Sequence, residues 1–207
     1  PEDAGLRRSL AESYICQKRA VDAGEALRVA LDLEPRMPDT YGMLGELRIA
    51  QGPEHWEDAV ALLEAATRFD PENPEHLVRQ ATLLRARGML DADAREVHWS
   101  AAEDLLKKVV ESDKGNAHAQ VLLATMLLDR NGDLDQAERL VKKATKTART
   151  SSALVAQARV HMRRGGLAEA ERDLELAIKK EASNHAAFAA RGELMSAHGQ
   201  PFMALDA

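Results

Sequence analysis

Apolar and small residues return along this chain at alternating intervals of four and three. The sets are Ala23-Leu27-Ala30, Ala59-Leu63-Ala66, Ala102-Leu106-Val109, Ala137-Val141-Ala144 and Ala170-Leu174-Ala177, and a sixth begins at Ala204 just before the chain stops. With about 3.6 residues per turn, this spacing keeps each set on one face of a helix. A second helix precedes each set and carries its own marks: Leu10-Ala11-Tyr14, Tyr41-Leu44-Gly45, Leu77-Ala81-Leu84, Gln120-Leu123-Ala124-Leu127, Leu154-Ala158-His161 and Phe188-Gly192-Met195. Turn signals separate the two helices of a pair, namely "GP" at 52–53, "RG" at 87–88, "NG" at 131–132, "GG" at 165–166 and "HG" at 198–199. The leading alanines are spaced by 36, 43, 35, 33 and 34 residues. Self-similarity at that period predicts a solenoid of helical hairpins.

The pattern resembles the tetratricopeptide repeat. That family's consensus is a bulky residue, Leu-Gly, Tyr, a turn glycine, then Ala, Phe and Ala, with a closing proline. The second unit fits best, with Tyr41, Leu44, Gly45, Ala59, Leu63, Ala66 and Pro71. The resemblance implies an all-α, right-handed α-solenoid of stacked helix–turn–helix repeats, about five and a half units in a single array. The units run approximately over 4–37, 38–73, 74–116 with an insertion near 89–100, 117–150, 151–184 and a partial 185–207. Small residues at the signature positions Ala23, Gly45, Ala59, Ala102, Ala137, Ala170, Gly192 and Ala204 let paired helices approach closely. Lys114, Arg149 and Ala182 stand where the family closes with proline. Gln80, Gln157 and Arg191 replace its leucine, which predicts looser packing in units three, five and six.

Composition narrows the function classes. Of 207 residues, 45% are apolar but only 3% aromatic, which favours close-packed helices over a β-sandwich. The net charge of −6 provides no general field for nucleic acid or an anionic membrane. Cys16 is the only cysteine, so no internal disulfide or cysteine-rich zinc site can form, as expected in a reducing, cytoplasmic setting. Apolar runs such as "VLLATMLL" fall far short of the ~20 residues that span a bilayer. The start "PEDAGLRRSL" has no apolar signal core and no initiator methionine, which suggests a piece of a longer protein.

Both tryptophans follow a histidine, in "EHWEDAVALL" and "EVHWSAAEDLL". Trp56 lies three residues before Ala59, and Trp99 three before Ala102, where units four and five carry Leu134 and Leu167. Each tryptophan is therefore expected to plug the open end of its hairpin, with the histidine beside it facing solvent. The carboxylates around Trp99 do not form an EF-hand, because counting from Asp91 puts Glu96 at the glycine position and Ala102 at the glutamate position. The insertion they occupy is a candidate docking feature. No phosphate loop, zinc-protease motif or nucleophile elbow is present. No catalytic residue, metal or cofactor is expected.

Family position implies which residues face the concave side. Unit one places Arg8, Glu12, Ile15 and Cys16 there and unit two Asp39, Met43, Glu46 and Ile49, a mostly acidic set. Arg79, Arg85, Arg159 and Arg163 would form Arg–carboxylate pairs with a partner, and Val121, Leu128 and Met162 would add apolar contacts. The expected partner is a protein or peptide, acidic in character. The asparagines Asn73, Asn116, Asn131 and Asn184 all fall at unit boundaries or turns, so the asparagine ladder and carboxylate clamp of two family sub-types are not expected. The leading reading is a non-catalytic protein-interaction scaffold. The alternatives are an architectural subunit that stacks on itself or on others, and the non-catalytic repeat domain of a larger enzyme.

Overall fold

The protein is described by a computed structural model covering residues 3–197. Ala204 and the "HG" turn lie outside the described residues. Eleven α-helices occur among the described residues: α1 (Ala4–Cys16), α2 (Ala20–Leu33), α3 (Pro38–Gln51), α4 (Trp56–Phe69), α5 (Pro74–Leu90), α6 (Arg95–Ser112), α7 (Ala117–Asp129), α8 (Leu134–Thr147), α9 (Ser151–Arg163), α10 (Leu167–Lys180) and α11 (His185–Ala197). A 3₁₀ turn, Pro53–His55, precedes α4. Contacts divide the chain into two compact units, Pro1–Leu105 and Leu106–Ala207, with the division inside α6.

The helix starts follow from capping chemistry. Asp3, Asn73, Asn116, Asp133 and Thr150 each accept a hydrogen bond from a backbone N–H in the first turn of the helix they precede. Asn184 accepts likewise from the Ala187 N–H at 3.2 Å. Pro38 and Pro74 occupy first-turn positions, where no N–H is needed. Thus three of the asparagines cap helices. The fourth, Asn131, turns the chain between α7 and α8 with a positive φ of 53°, which asparagine tolerates better than most residues.

In the first unit, α1 packs on α2, α3 on α4, and α5 on α3 and α4. Ala11, Ala23, Leu27, Leu44 and Leu47 form one core cluster, and Ala59, Leu63 and Leu83 another. In the second unit α7 packs on α8, α9 on α10, and α11 covers both α9 and α10. Its core joins Leu154, Ala158, Ala170, Leu174, Ala177, Ala187 and Leu194. The five described leading alanines, Ala23, Ala59, Ala102, Ala137 and Ala170, are all fully buried. Gly45 is equally constrained: a Cβ there would lie 2.9 Å from Leu63 and 3.5 Å from the Ala59 carbonyl oxygen. The small residues are therefore required by helix approach. Gly192 is only partly buried.

The looser packing expected at the glutamines is replaced by hydrogen bonding. Gln80 Nε2 donates to Thr67 Oγ1 at 2.9 Å, tying α5 to α4. Gln157 Nε2 lies 3.4 Å from Asp173 Oδ1, linking α9 to α10. A half-buried amide with a partner avoids the desolvation cost of an orphaned one. Arg191 is exposed.

Candidate protein-interaction surfaces

The two tryptophans occupy equivalent places. Trp56 Nε1 donates to the Ile49 carbonyl at 3.3 Å, from the start of α4 back to α3. Trp99 Nε1 donates to the Arg85 carbonyl at 3.1 Å, from α6 back to α5. Each ring is half-buried, closes its hairpin, and satisfies its one donor on the last turns of the preceding helix. His55 and His98 are half-exposed beside them. Among the described residues no three His, Cys, Asp or Glu side chains are grouped so as to hold a metal.

The arginines placed on the concave side have different surroundings from those expected. Arg79 Nε is 3.3 Å from Glu46 Oε2, bridging α5 and α3. Arg159 Nη2 is 2.8 Å from Asp129 Oδ1, bridging α9 and α7. Arg163 Nη2 donates to the Leu128 carbonyl at 2.9 Å. Arg8 and Asp39 approach to 3.7 Å in the same manner across α1 and α3. These side chains tie α1 to α3, α3 to α5 and α7 to α9, and the charges of Arg79 and Arg159 are each answered by a carboxylate inside the chain. Arg85 is half-buried in α5. Arg79 and Arg85 belong to the first compact unit, Arg159 and Arg163 to the second.

The apolar contacts expected from unit four need correction. Leu128 is 2% exposed and Val121 8%, so both are core residues and present no surface to a partner. The helix α7 is apolar on nearly every face, with Ala119, Leu123, Ala124, Met126 and Leu127 also buried. A position in a first helix therefore does not by itself make a residue a groove residue. Met162 is half-buried against the second unit's core.

An open apolar pocket lies instead in units one and two. A pocket of about 380 Å³ is lined by Ile15, Lys18, Ala20, Met43, Glu46, Leu47 and Ala50. It opens between α1 and α3 beside the start of α2, with Lys18 and Glu46 as its charged members. Lys18 adopts a positive φ of 59° in the turn after α1. Ile15, Met43 and Glu46 were among the family's concave positions, but the cluster was not legible until α1 and α3 were set side by side.

Two buried polar groups complete the picture. His76 on α5 is fully buried, and among the described residues neither ring nitrogen has a hydrogen-bond partner. Burial, helped by the charge of Arg79, holds its pKa below the usual histidine value. On α10, burial raises the Asp173 carboxyl above its usual range, although His161 Nδ1 lies 3.0 Å away and opposes the shift. On the exposed side of α8, Glu138 is held low by its hydrogen bonds to Lys142 and then Arg164.

These helical hairpins, with small residues at every close approach and an apolar pocket between first helices, define a helical-repeat protein. Residues 98–161 match the tetratricopeptide repeat family model. Solved structures share the fold. A thermophilic tetratricopeptide repeat protein of Thermus thermophilus is 17% identical with a TM-score of 0.77, covering 94% of this chain and 98% of that one. The pilF protein of Pseudomonas aeruginosa is 16% identical with a TM-score of 0.66, covering 95% and 84%. YrrB, described as a tetratricopeptide repeat protein with an unusual peptide-binding site, is 19% identical with a TM-score of 0.50, covering 92% of each chain. No curated protein sequence matches significantly. No described helix is long and apolar enough to cross a membrane.

Proposed function

We propose that this chain is a non-catalytic scaffold that binds a peptide segment of a partner protein, and that the pocket between α1 and α3 receives an apolar side chain of that segment. The single observation that carries the reading is the pocket lined by Ile15, Met43, Leu47 and Ala50. Burying one Leu-sized side chain contributes roughly 1.5–3 kcal/mol, enough to select a peptide that also makes backbone contacts. Methionine suits such a surface, since its unbranched side chain adapts to several shapes. Similarity to YrrB supports peptide binding as a use of this fold.

The recognition is apolar first. Arg79, Arg159 and Arg163 already hold partners within the chain, so an acidic peptide would have to displace Glu46 or Asp129, or share an arginine with it. An array of synthetic peptides, varied at one apolar position and in net charge, tests the proposal. Peptides with a bulky apolar residue should bind, with affinity reduced at least tenfold by Ile15→Glu or Met43→Glu. Val21→Glu, at an exposed site on α2, should leave binding unchanged. Binding that follows peptide charge alone, or that survives both pocket substitutions, would overturn the proposal.

A further inference from the structure

We propose that the tips of the second and third hairpins form a separate docking cleft for a basic partner segment carrying one bulky apolar side chain. The cleft has a volume of about 580 Å³ and is lined by residues that include Trp56, Glu57, Leu90, Asp91, Asp93 and His98. It shares no residue with the pocket between α1 and α3, and it is built from the two stretches that carry the His-Trp pairs.

Three observations point the same way. The first is exposed apolar surface. Met89 is 49% exposed, Leu90 65% and Val97 71%, all at one hairpin tip. Of these, Leu90 lines the cleft beside Trp56 and offers it an open apolar contact.

The second is rigidity. Arg87 Nη2 lies 2.6 Å from Glu57 Oε1 and joins the tip of α5 to the start of α4. Asp91 Oδ1 accepts from the N–H groups of Asp93 and Ala94, both at 3.0 Å, which fixes the loop. Arg95 Nε donates to the Gly88 carbonyl at 2.9 Å, closing the tip onto α5. A surface ordered before binding loses less conformational freedom when it is covered.

The third is charge. The two tip segments and their neighbours carry Glu54, Glu57, Asp58, Asp91, Asp93 and Glu96 against Arg48, Arg87 and Arg95. Two of the arginines are engaged by Asp58 and Glu57. The third lies over the Trp99 ring, 5.6 Å from its centroid. The remaining field is negative, and it selects lysine or arginine flanking the apolar anchor.

The chain supplies its own reporter, because Trp56 lines the cleft and only Trp99 shares its emission. Three tryptophan-free synthetic peptides serve as probes: lysines around a central phenylalanine, the same peptide with glutamates for lysines, and the same with serine for phenylalanine. The lysine–phenylalanine peptide should change the tryptophan emission saturably. Leu90→Ser and Asp93→Lys should each weaken that binding at least tenfold, with helical content and melting unchanged because both sites are exposed. Met43→Glu should leave it intact, so failure here and failure of the α1–α3 pocket are told apart. Equal binding of the glutamate or serine peptide, or equal loss in Met43→Glu, would overturn the proposal. So would emission that depends on the concentration of the chain alone, which would make a second copy the occupant.

Discussion

Gly88 of α5 lies directly beneath the indole of Trp99 in α6: a Cβ built on it would come within 2.3 Å of Trp99 Cδ1 and 2.4 Å of Nε1. The glycine is there because the ring is. Gly88→Ala should therefore destabilise the first unit by about 1–3 kcal/mol through overpacking, beyond any gain in helix propensity. Trp99→Ala should also be costly, though less than the roughly 3–5 kcal/mol of a fully buried tryptophan, since the ring is half-exposed. Urea unfolding of both single variants and the double variant checks this. The cost of Gly88→Ala should largely vanish once the indole is gone, and additive costs would contradict the contact.

Adjacent alanines in α6 provide a test of the repeat register. Ala102 is fully buried and Ala101 is exposed. Ala102→Glu forces volume and an unpaired charge into the hairpin, which should cost at least the ~1–3 kcal/mol of overpacking. Ala101→Glu should fall within about 0.5 kcal/mol of the parent. Thermal melting of the two proteins, one residue apart, reads the difference directly.

His76 predicts a dependence on pH. Its folded pKa is lowered, by burial first and by Arg79 second, with Asp39, Asp70 and Glu75 opposing. The unfolded histidine takes up a proton as pH falls through about 6.5, while the folded one resists. Stability is therefore present above that pH and lost below it. Unfolding free energies measured at about pH 7, 6 and 5 should fall more steeply for the parent than for His76→Leu. Parallel curves would mean that His76 does not titrate differently on folding.

The ion pair between Arg159 and Asp129 joins two first helices with both side chains mostly shielded, at 23% and 14% exposure. Arg159→Glu places two carboxylates together and should lower stability by about 1–3 kcal/mol, between the surface and buried limits for such pairs. Exchanging the charges, with Arg159→Asp and Asp129→Arg together, should recover part of the loss. A double variant no better than the sum of its singles would show that the pair contributes through packing rather than charge.

Much of this architecture was legible one residue at a time. The leading alanines are buried because intervals of four and three hold a residue on one helical face, and close helix approach leaves no room for a larger side chain. The caps Asn73, Asn116 and Asn184 were visible as boundary residues, because capping is a local act between a side chain and the next turn. The tryptophans at 56 and 99 were readable by their offset from Ala59 and Ala102. The surfaces were not. Whether Arg79 is available to a partner depends on Glu46, thirty-three residues away, and for Arg159 the deciding residue is Asp129, thirty residues away.

The sequence by itself determined the repeat, its period and the helices, because those rest on local periodicity and on residue size at fixed spacing. Only the tertiary structure decided which groove residues are open. It buried Val121 and Leu128 within the second unit, paired Arg79 and Arg159 with carboxylates of neighbouring helices, and brought Ile15, Met43, Leu47 and Ala50 around one pocket. Exposure and charge pairing depend on which helix lies alongside, and a helical period specifies a residue's face without specifying what that face meets.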